Sequence, residues 1–204
     1  MKLLKLIIFA LLIIISPVYA WATIYYVRTD GSNANTGLVD SAGGAFLTVQ
    51  KGVDTALTAG DIVRVRSGNY DESVVTKASG ASGNPITITA WQSGYPRLNS
   101  LSINHSYITF DGFEFTGSST LAIGGGLYAT IRLNTNIQYI IIKNCYLHDT
   151  VAWNMGIVSL PICAKYVTIE NNTFNNLGYI NLFLKGSSYT NDPTDWTIQN
   201  NIFK

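Results

Sequence analysis

The sequence predicts an all-β chain wound as a right-handed parallel β-helix, with a short N-terminal capping helix. Three observations predict it. The stretch "YVTIENNTFNN" (166–176) has near copies at "YITFDGFEFTG" (107–117), "YIIIKNCYLHD" (139–149) and "WTIQNNIFK" (196–204). Aligned on Gly112, Asn144, Asn171 and Asn200, the copies are 32, 27 and 29 residues apart, a period that belongs to stacked repeat units. Three columns are apolar in every copy: Ile108/Ile140/Val167/Trp196, Phe110/Ile142/Ile169/Ile198 and Phe115/Leu147/Phe174/Phe203. One such unit cannot bury its apolar face alone and must stack on the next. The columns are β-branched and aromatic, as strands prefer, and the return segments carry a second strand ("GIVSL", 156–160; "YINLFLKG", 179–186). A leucine-rich horseshoe would instead want leucines at fixed steps and a helical return. Each strand is therefore expected to pair in parallel with its copy, about 4.8 Å away.

The elements follow in order. Residues 1–22 read as a secretory signal peptide: Lys2 and Lys5, the apolar run "LIIFALLIII" (6–15), a Ser16-Pro17 break, and small residues before cleavage at Ala20 or Ala22. The apolar run is about half the length a membrane span needs. Residues 23–60 hold a first strand, the Gly/Asn/Ser loop "TDGSNANTG" (29–37) and one helix. Thr48 is the expected N-cap, Val49, Val53, Ala56 and Leu57 form one helical face, and Gly60 is the expected stop. That helix is expected to cover the apolar end of the first coil. Residues 61–204 hold short strands throughout, and the chain stops inside the fourth copy, so the expectation is part of a longer protein.

The Gly112/Asn144/Asn171/Asn200 column marks a sharp bend that needs φ > 0, which glycine takes freely and asparagine next best. The following column, Phe113/Cys145/Asn172/Asn201, points inward, and stacked asparagines there can pair their amides from coil to coil.

Charged residues make up only 12% of the chain, about half the usual share. Removing residues 1–22 takes two of the 13 Lys+Arg and none of the 12 Asp+Glu, leaving a net charge of −1. No basic excess exists to neutralise phosphates, which argues against nucleic acid. Cys145 and Cys163 are too few for a disulfide framework; export permits one bridge, and buried free thiols are the default.

The opening "YYVRTDGSNANTG…AFLTVQKGVDTALTAGDIVRVRSGNYDESV…SGASGNPITITAW" resembles secreted β-helix proteins of the pectate-lyase-like superfamily, nearest to its chondroitinase-B/alginate-lyase-like group. The matching pieces are Tyr25-Tyr26-Val27, Asp30-Gly31-Ser32, Gly37, the helix, Ala59-Gly60-Asp61, Gly68-Asn69-Tyr70 and Gly83-Asn84-Pro85-Ile86. The resemblance implies an acidic polysaccharide partner. It also implies lyase chemistry, in which Lys or Arg removes the proton α to a uronic carboxylate that Ca2+, held by Asp/Glu, neutralises. Those groups usually sit on later coils in such lyases, and residues 23–204 show no acidic cluster with calcium spacing. The expectation is a scaffold with no cofactor of its own, catalytic coils beyond residue 204, and Ca2+ in the full-length protein. The alternative is a non-catalytic surface or carbohydrate-binding β-helix.

Within the chain, the best candidate for substrate binding is an outward face. With Ala129, Ile131 and Leu133 inward, Tyr128, Thr130 and Arg132 point out. With Ile180, Leu182 and Leu184 inward, Asn181, Phe183 and Lys185 point out. Tyr128, Arg132, Asn181, Phe183 and Lys185 would then form an aromatic and cationic strip for sugar rings and uronates. Three other features read as architecture. Asp30 and Asp40 flank a loop that lacks calcium-ligand spacing. Asp71-Glu72 is expected to cap a turn. His148 and Asp149 are sequence neighbours on a strand and should point apart.

Overall fold

The computed structural model describes residues 21–117, 121–124, 126–150, 154–159, 164–184 and 195–204. Along the chain run β1 (Ile24–Val27), α1 (Val49–Thr55), β2 (Ile62–Asn69), β3 (Ser73–Val75), β4 (Ile86–Leu98), β5 (Ser100–Ile103), β6 (Ile108–Asp111), β7 (Glu114–Gly117), β8 (Leu121–Gly124) and β9 (Leu127–Leu133). They continue with β10 (Gln138–Lys143), β11 (Tyr146–Thr150), β12 (Asn154–Ser159), β13 (Lys165–Glu170), β14 (Thr173–Asn175), β15 (Leu182–Leu184), β16 (Thr197–Gln199) and β17 (Ile202–Phe203).

The strands form two sheets, and almost every ladder is parallel. In the larger sheet, β6, β10, β13 and β16 stack successively from the first half of β4, while β7, β11, β14 and β17 stack from its end. The smaller sheet runs β3, β5, β9, β12, β15. Among the described strands only β8 is antiparallel to its neighbour, β9. Each repeat thus visits the sheets in one order and adds one rung to each. The fold is all-β and parallel, as the repeats require.

The apolar columns of the sequence are the rungs of the core. Ile108, Ile140 and Val167 are register partners, as are Phe110, Ile142, Ile169 and Ile198, and Phe115, Leu147, Phe174 and Phe203. Phe110, Phe115, Ile140, Ile142, Leu147, Ile169 and Phe174 are completely buried. Burying such a side chain contributes about 1.5–3 kcal/mol, so successive repeats share one continuous core.

The bend column takes the backbone expected of it. Gly112, Asn144, Asn171 and Asn200 have φ of 82°, 54°, 56° and 55°. The next column points inward as a ladder. The Asn172 side chain is fully buried; its Oδ1 accepts from Cys145 N at 2.9 Å, and its Nδ2 donates to Ile142 O and to Asn201 Oδ1, both at 3.0 Å. Asn201 repeats the pattern one coil on, donating to Ile169 O at 2.8 Å. Cys145 is a buried free thiol; Cys163 lies outside the described residues.

Helix α1 starts where expected, with Thr48 Oγ1 accepting from Lys51 N. Val49, Val53 and Ala56 are buried, but the helix ends at Thr55 and Leu57 is 54% exposed, so Leu57 does not extend the buried face. Glu72 is a correction too. It caps this helix rather than a turn, its carboxylate accepting from Val49 N at 2.7 Å and Gln50 N at 3.0 Å, the placement the exposed N–H groups of a first turn favour. Burial pushes its pKa upward against those hydrogen bonds.

Candidate functional site

One position before the first apolar column stand Tyr107, Tyr139, Tyr166 and Asp195. All four have positive φ, at 57°, 59°, 52° and 57°. The three tyrosine rings stack at centroid spacings of 4.6 Å and interplanar angles of 14° and 6°. Tyr139 is 41% and Tyr166 42% exposed. Two residues further along each strand comes an outward row of Thr109, Ile141 and Thr168. The short turn 81–85, closed by the Ala81–Asn84 bridge, walls one end. Gly80 permits that approach, because a Cβ there would lie 2.5 Å from Tyr107 O. Together these residues line a groove of about 360 Å3 that continues past Tyr166 to Asp195.

The backbone energetics set this column apart from the bend column. A non-glycine residue in the left-handed region costs about 1–2 kcal/mol, and asparagine is among the types that tolerate it best. The bend column uses only glycine and asparagine, whereas here three of four positions carry a bulky aromatic. Two stacked pairs return about 0.5–1.5 kcal/mol each, less than three strained tyrosines cost. Strain of this kind, kept in consecutive repeats, points to use.

A third outward row carries the charges of this face: Thr89, Asp111, Lys143, Glu170 and Gln199. Lys143 lies 3.7 Å from Asp111. Asn144 donates to Asp111 at 2.7 Å and Gln199 to Glu170 at 2.8 Å. Register continues this row past Thr89 to Arg64, which lies over the Trp91 ring; from Thr89 to Gln199 the rows hold Lys143 against the carboxylates of Asp111, Glu170 and Asp195, and the exposed Lys165 precedes Tyr166.

The strip expected from the sequence lies on the smaller sheet. Register puts Arg132 and Phe183 in one row, with Val158 between them. Val158 is fully buried in a small apolar cluster with Ala129 and Met155, against which Leu121, Ile180 and Phe183 pack. Arg132 Nη1 donates to the Ala122 carbonyl of β8 at 3.3 Å, and its buried Nε has no hydrogen-bond partner among the described residues. Tyr128 is 37% exposed and pairs in register with Asn154. Asn181 sits at a bend, its carbonyl accepting from Ile157 N, and Lys185 lies outside the described residues. Two assignments within that strip are corrected. Thr130 is buried rather than outward, and Ile180 packs with Phe183 in the second cluster, because the chain bends at Asn181 before β15 begins.

His148 and Asp149 do not point apart. Asp149 has φ 47°, and the ladder shifts register between His148 and Thr150. This bulge swings the carboxylate to 2.8 Å from His148 Nδ1, while Nε2 meets Glu114 at 3.1 Å. Tyr146 stacks on the imidazole with centroids 4.0 Å apart. The hydrogen bond from His148, reinforced by one from Asn176, holds the Asp149 carboxyl below its usual range. The ring is clamped between two carboxylates on neighbouring strands. Asp40 is likewise engaged. It accepts from Arg66, Trp91 Nε1 and Arg28, and the Arg66 hydrogen bond is the main cause of its lowered pKa. Among the described residues no three His, Cys, Asp or Glu side chains converge on a common metal position.

No family model matches the chain, and no curated protein matches it in sequence. Solved structures do match in fold. A rhamnogalacturonan lyase superposes with a TM-score of 0.68 at 18% identity, over 88% of this chain and 51% of its own. A GH136 lacto-N-biosidase from Eubacterium ramulus superposes with a TM-score of 0.62 at 17% identity, over 76% of this chain and 34% of its own. The chain thus spans about half of one and a third of the other. At such identities the likeness is one of fold.

Proposed function

We propose that this chain is the N-terminal part of a secreted right-handed parallel β-helix protein that acts on acidic polysaccharide, and that its Tyr107–Tyr139–Tyr166 groove holds the polymer. One observation carries the reading: three tyrosines kept at positive φ in consecutive coils, stacked along an open groove beside a hydroxyl-bearing row. Ring edges and hydroxyls repeated at the rung spacing suit an extended chain of sugar units. The names of both structural neighbours refer to enzymes of carbohydrate chemistry, which supports the same reading. Helix α1 caps the first coil in this account, and the leader at 1–22 directs export.

The whole protein is proposed as a polysaccharide lyase, with Ca2+ supplied at coils other than these. In residues 23–204 the side chains bind and orient. Elimination needs a free base beside the α-proton, and Lys143, which stands in the row beside the tyrosines, is tied to Asp111. The strip of Tyr128, Arg132, Asn181, Phe183 and Lys185 is the competing location for the polymer. The test is affinity electrophoresis of residues 23–204 through gels containing rhamnogalacturonan, pectate, alginate or chondroitin. A parallel assay follows absorbance of the unsaturated product with and without calcium. Retardation in at least one gel without product is the expected result. Absence of retardation in all four gels overturns the reading, and product release lost on Arg132→Ala would move the active site to the competing strip.

A further inference from the structure

We infer that Arg64 forms an oxyanion subsite on the first coils, which takes the carboxylate or sulfate ester of a sugar unit through a guanidinium set on Trp91. The inference rests on the proposal that the polymer is acidic, and not on the tyrosine groove. Tyr26, Arg64, Thr89 and Asp111 stand in one outward row, in register on β1, β2, β4 and β6. The Arg64 guanidinium lies 3.9 Å from the centre of the Trp91 ring, and its Nη1 donates to Tyr26 Oη at 3.3 Å. The indole is itself fixed, because Trp91 Nε1 donates to Asp40 at 3.1 Å. The Tyr26 ring stands at 66° to it, with centroids 6.4 Å apart. Among the described residues no acceptor meets Arg64 Nε or Nη2.

Three arginines share this face, and the other two are committed. Arg28 pairs with Asp30 at 2.8 Å and with Asp40 at 3.3 Å, and Arg66 pairs with Asp40 at 2.6 Å and with Gln92. Asp40 thus serves Arg28, Arg66 and Trp91 and leaves Arg64 out. Asp111, two rungs on in the row of Arg64, is met by Lys143 and Asn144. A guanidinium laid on an indole keeps its free donors at the edge of its plane, where two oxygens of a carboxylate or a sulfate can be met at once. Trp91 and Tyr26 hold that fork in one place, so binding costs little side-chain freedom. The site is separate from the tyrosine groove: Arg64 stands two rungs before the coil of Tyr107 and four residues along the strand, about 10 Å and about 13 Å away in the two directions.

The experiment is 1H–15N NMR and isothermal titration of residues 23–204 at low salt with three probes: trigalacturonate, a sulfated galactose trisaccharide, and galactotriose as the uncharged reference. The Arg64 Nε–H signal, assigned by its loss in Arg64→Lys, should shift with at least one charged probe and not with galactotriose. Arg64→Gln should bind that probe roughly tenfold more weakly, since a charge-assisted pair is lost. Arg64→Lys should recover only part of the binding, because an ammonium keeps the charge but not the fork. Salt at about 0.5 M should weaken the charged probe by screening. A response to trigalacturonate alone assigns the subsite to uronates, and a response to the sulfated sugar alone assigns it to sulfate esters. An Arg64 signal that neither charged probe shifts, an equal shift with galactotriose, or wild-type affinity in Arg64→Gln overturns the inference. The polymer gels separate it from the groove, with Tyr139→Asn as the groove variant, since asparagine suits φ near 59°. Retardation lost in Arg64→Gln but kept in Tyr139→Asn supports the subsite against the groove; retardation lost in Tyr139→Asn but kept in Arg64→Gln overturns the subsite and leaves the groove.

Discussion

Replacing Asn172 with alanine tests how the interior of the coil stack is held. Asn172 is fully buried, and its side chain makes three hydrogen bonds to neighbouring coils. Alanine removes the acceptor of the Cys145 N–H, which lies in the core. An orphaned buried donor costs about 1–3 kcal/mol. The Ile142 carbonyl loses a donor as well, a smaller penalty because a carbonyl has two acceptor sites. Asn201 Oδ1 keeps its bond from Asn172 N at 2.9 Å and adds little. The expected destabilisation is therefore about 2–4 kcal/mol, a sizeable share of the 5–15 kcal/mol that holds a typical domain. Urea unfolding followed by circular dichroism reads it. With a slope of about 2 kcal/mol per molar, the midpoint should fall by about 1–2 M, and the Cys145 amide should exchange far faster. Asn172→Asp should be worse, since a carboxylate oxygen would face the Ile142 carbonyl and Asn201 Oδ1. A midpoint shift under about 0.3 M with the Cys145 amide still protected would refute the ladder account.

Asn171→Val should cost about 1–2 kcal/mol, because a β-branched residue is forced to φ near 56°, while Asn171→Gly should be close to neutral; paired melting curves decide it. Val53→Asp places an unpaired charge in the buried apolar core and should cost about 3 kcal/mol or more, with self-association if α1 shields the first coil; a monomer with unchanged melting would rule the capping role out. The Cys145 thiol is pushed by burial from 9.0 up to about 12. Its raised folded-state value means that its contribution to stability is complete below pH 9 and is lost as pH climbs toward 12. Above pH 9 wild type should lose stability more steeply than Cys145→Ala, and a thiol reagent should label Cys145 only on unfolding; prompt labelling of the native protein would contradict this.

The repeat was legible in the sequence because its driving force is a pattern of side-chain types. Ile108, Ile140 and Val167 had to be buried, so their spacing announced the rungs, and Gly112 with three asparagines announced a left-handed bend. The tyrosine column was just as regular at Tyr107, Tyr139 and Tyr166. Tyrosine is an ordinary strand residue, however, and nothing in its type signals a positive φ; the signal was the column itself, one place ahead of an aligned apolar one. The His148–Asp149 contact escaped because strict alternation holds only in an unbroken ladder, and the bulge at Asp149 breaks it. The strip through Arg132 was drawn from alternation alone, which gives the side of a sheet but not what covers it. There β8 pairs antiparallel beside β9 and its Ala122 carbonyl accepts from the guanidinium, while Phe183 packs on the buried Val158.

Tyrosine footprinting tests the central claim most directly. Residues 23–204 are acetylated at tyrosine with and without saturating polysaccharide, and the sites are read by mass spectrometry. Tyr139, Tyr166 and Tyr128 are all partly exposed, and Tyr95 and Tyr179, at 48% and 53% exposure, serve as references. The account predicts that polysaccharide protects Tyr139 and Tyr166 together and leaves Tyr128, Tyr95 and Tyr179 unchanged. Protection of Tyr128 with Tyr139 and Tyr166 still reactive would contradict it and put the polymer on the Arg132–Phe183 face.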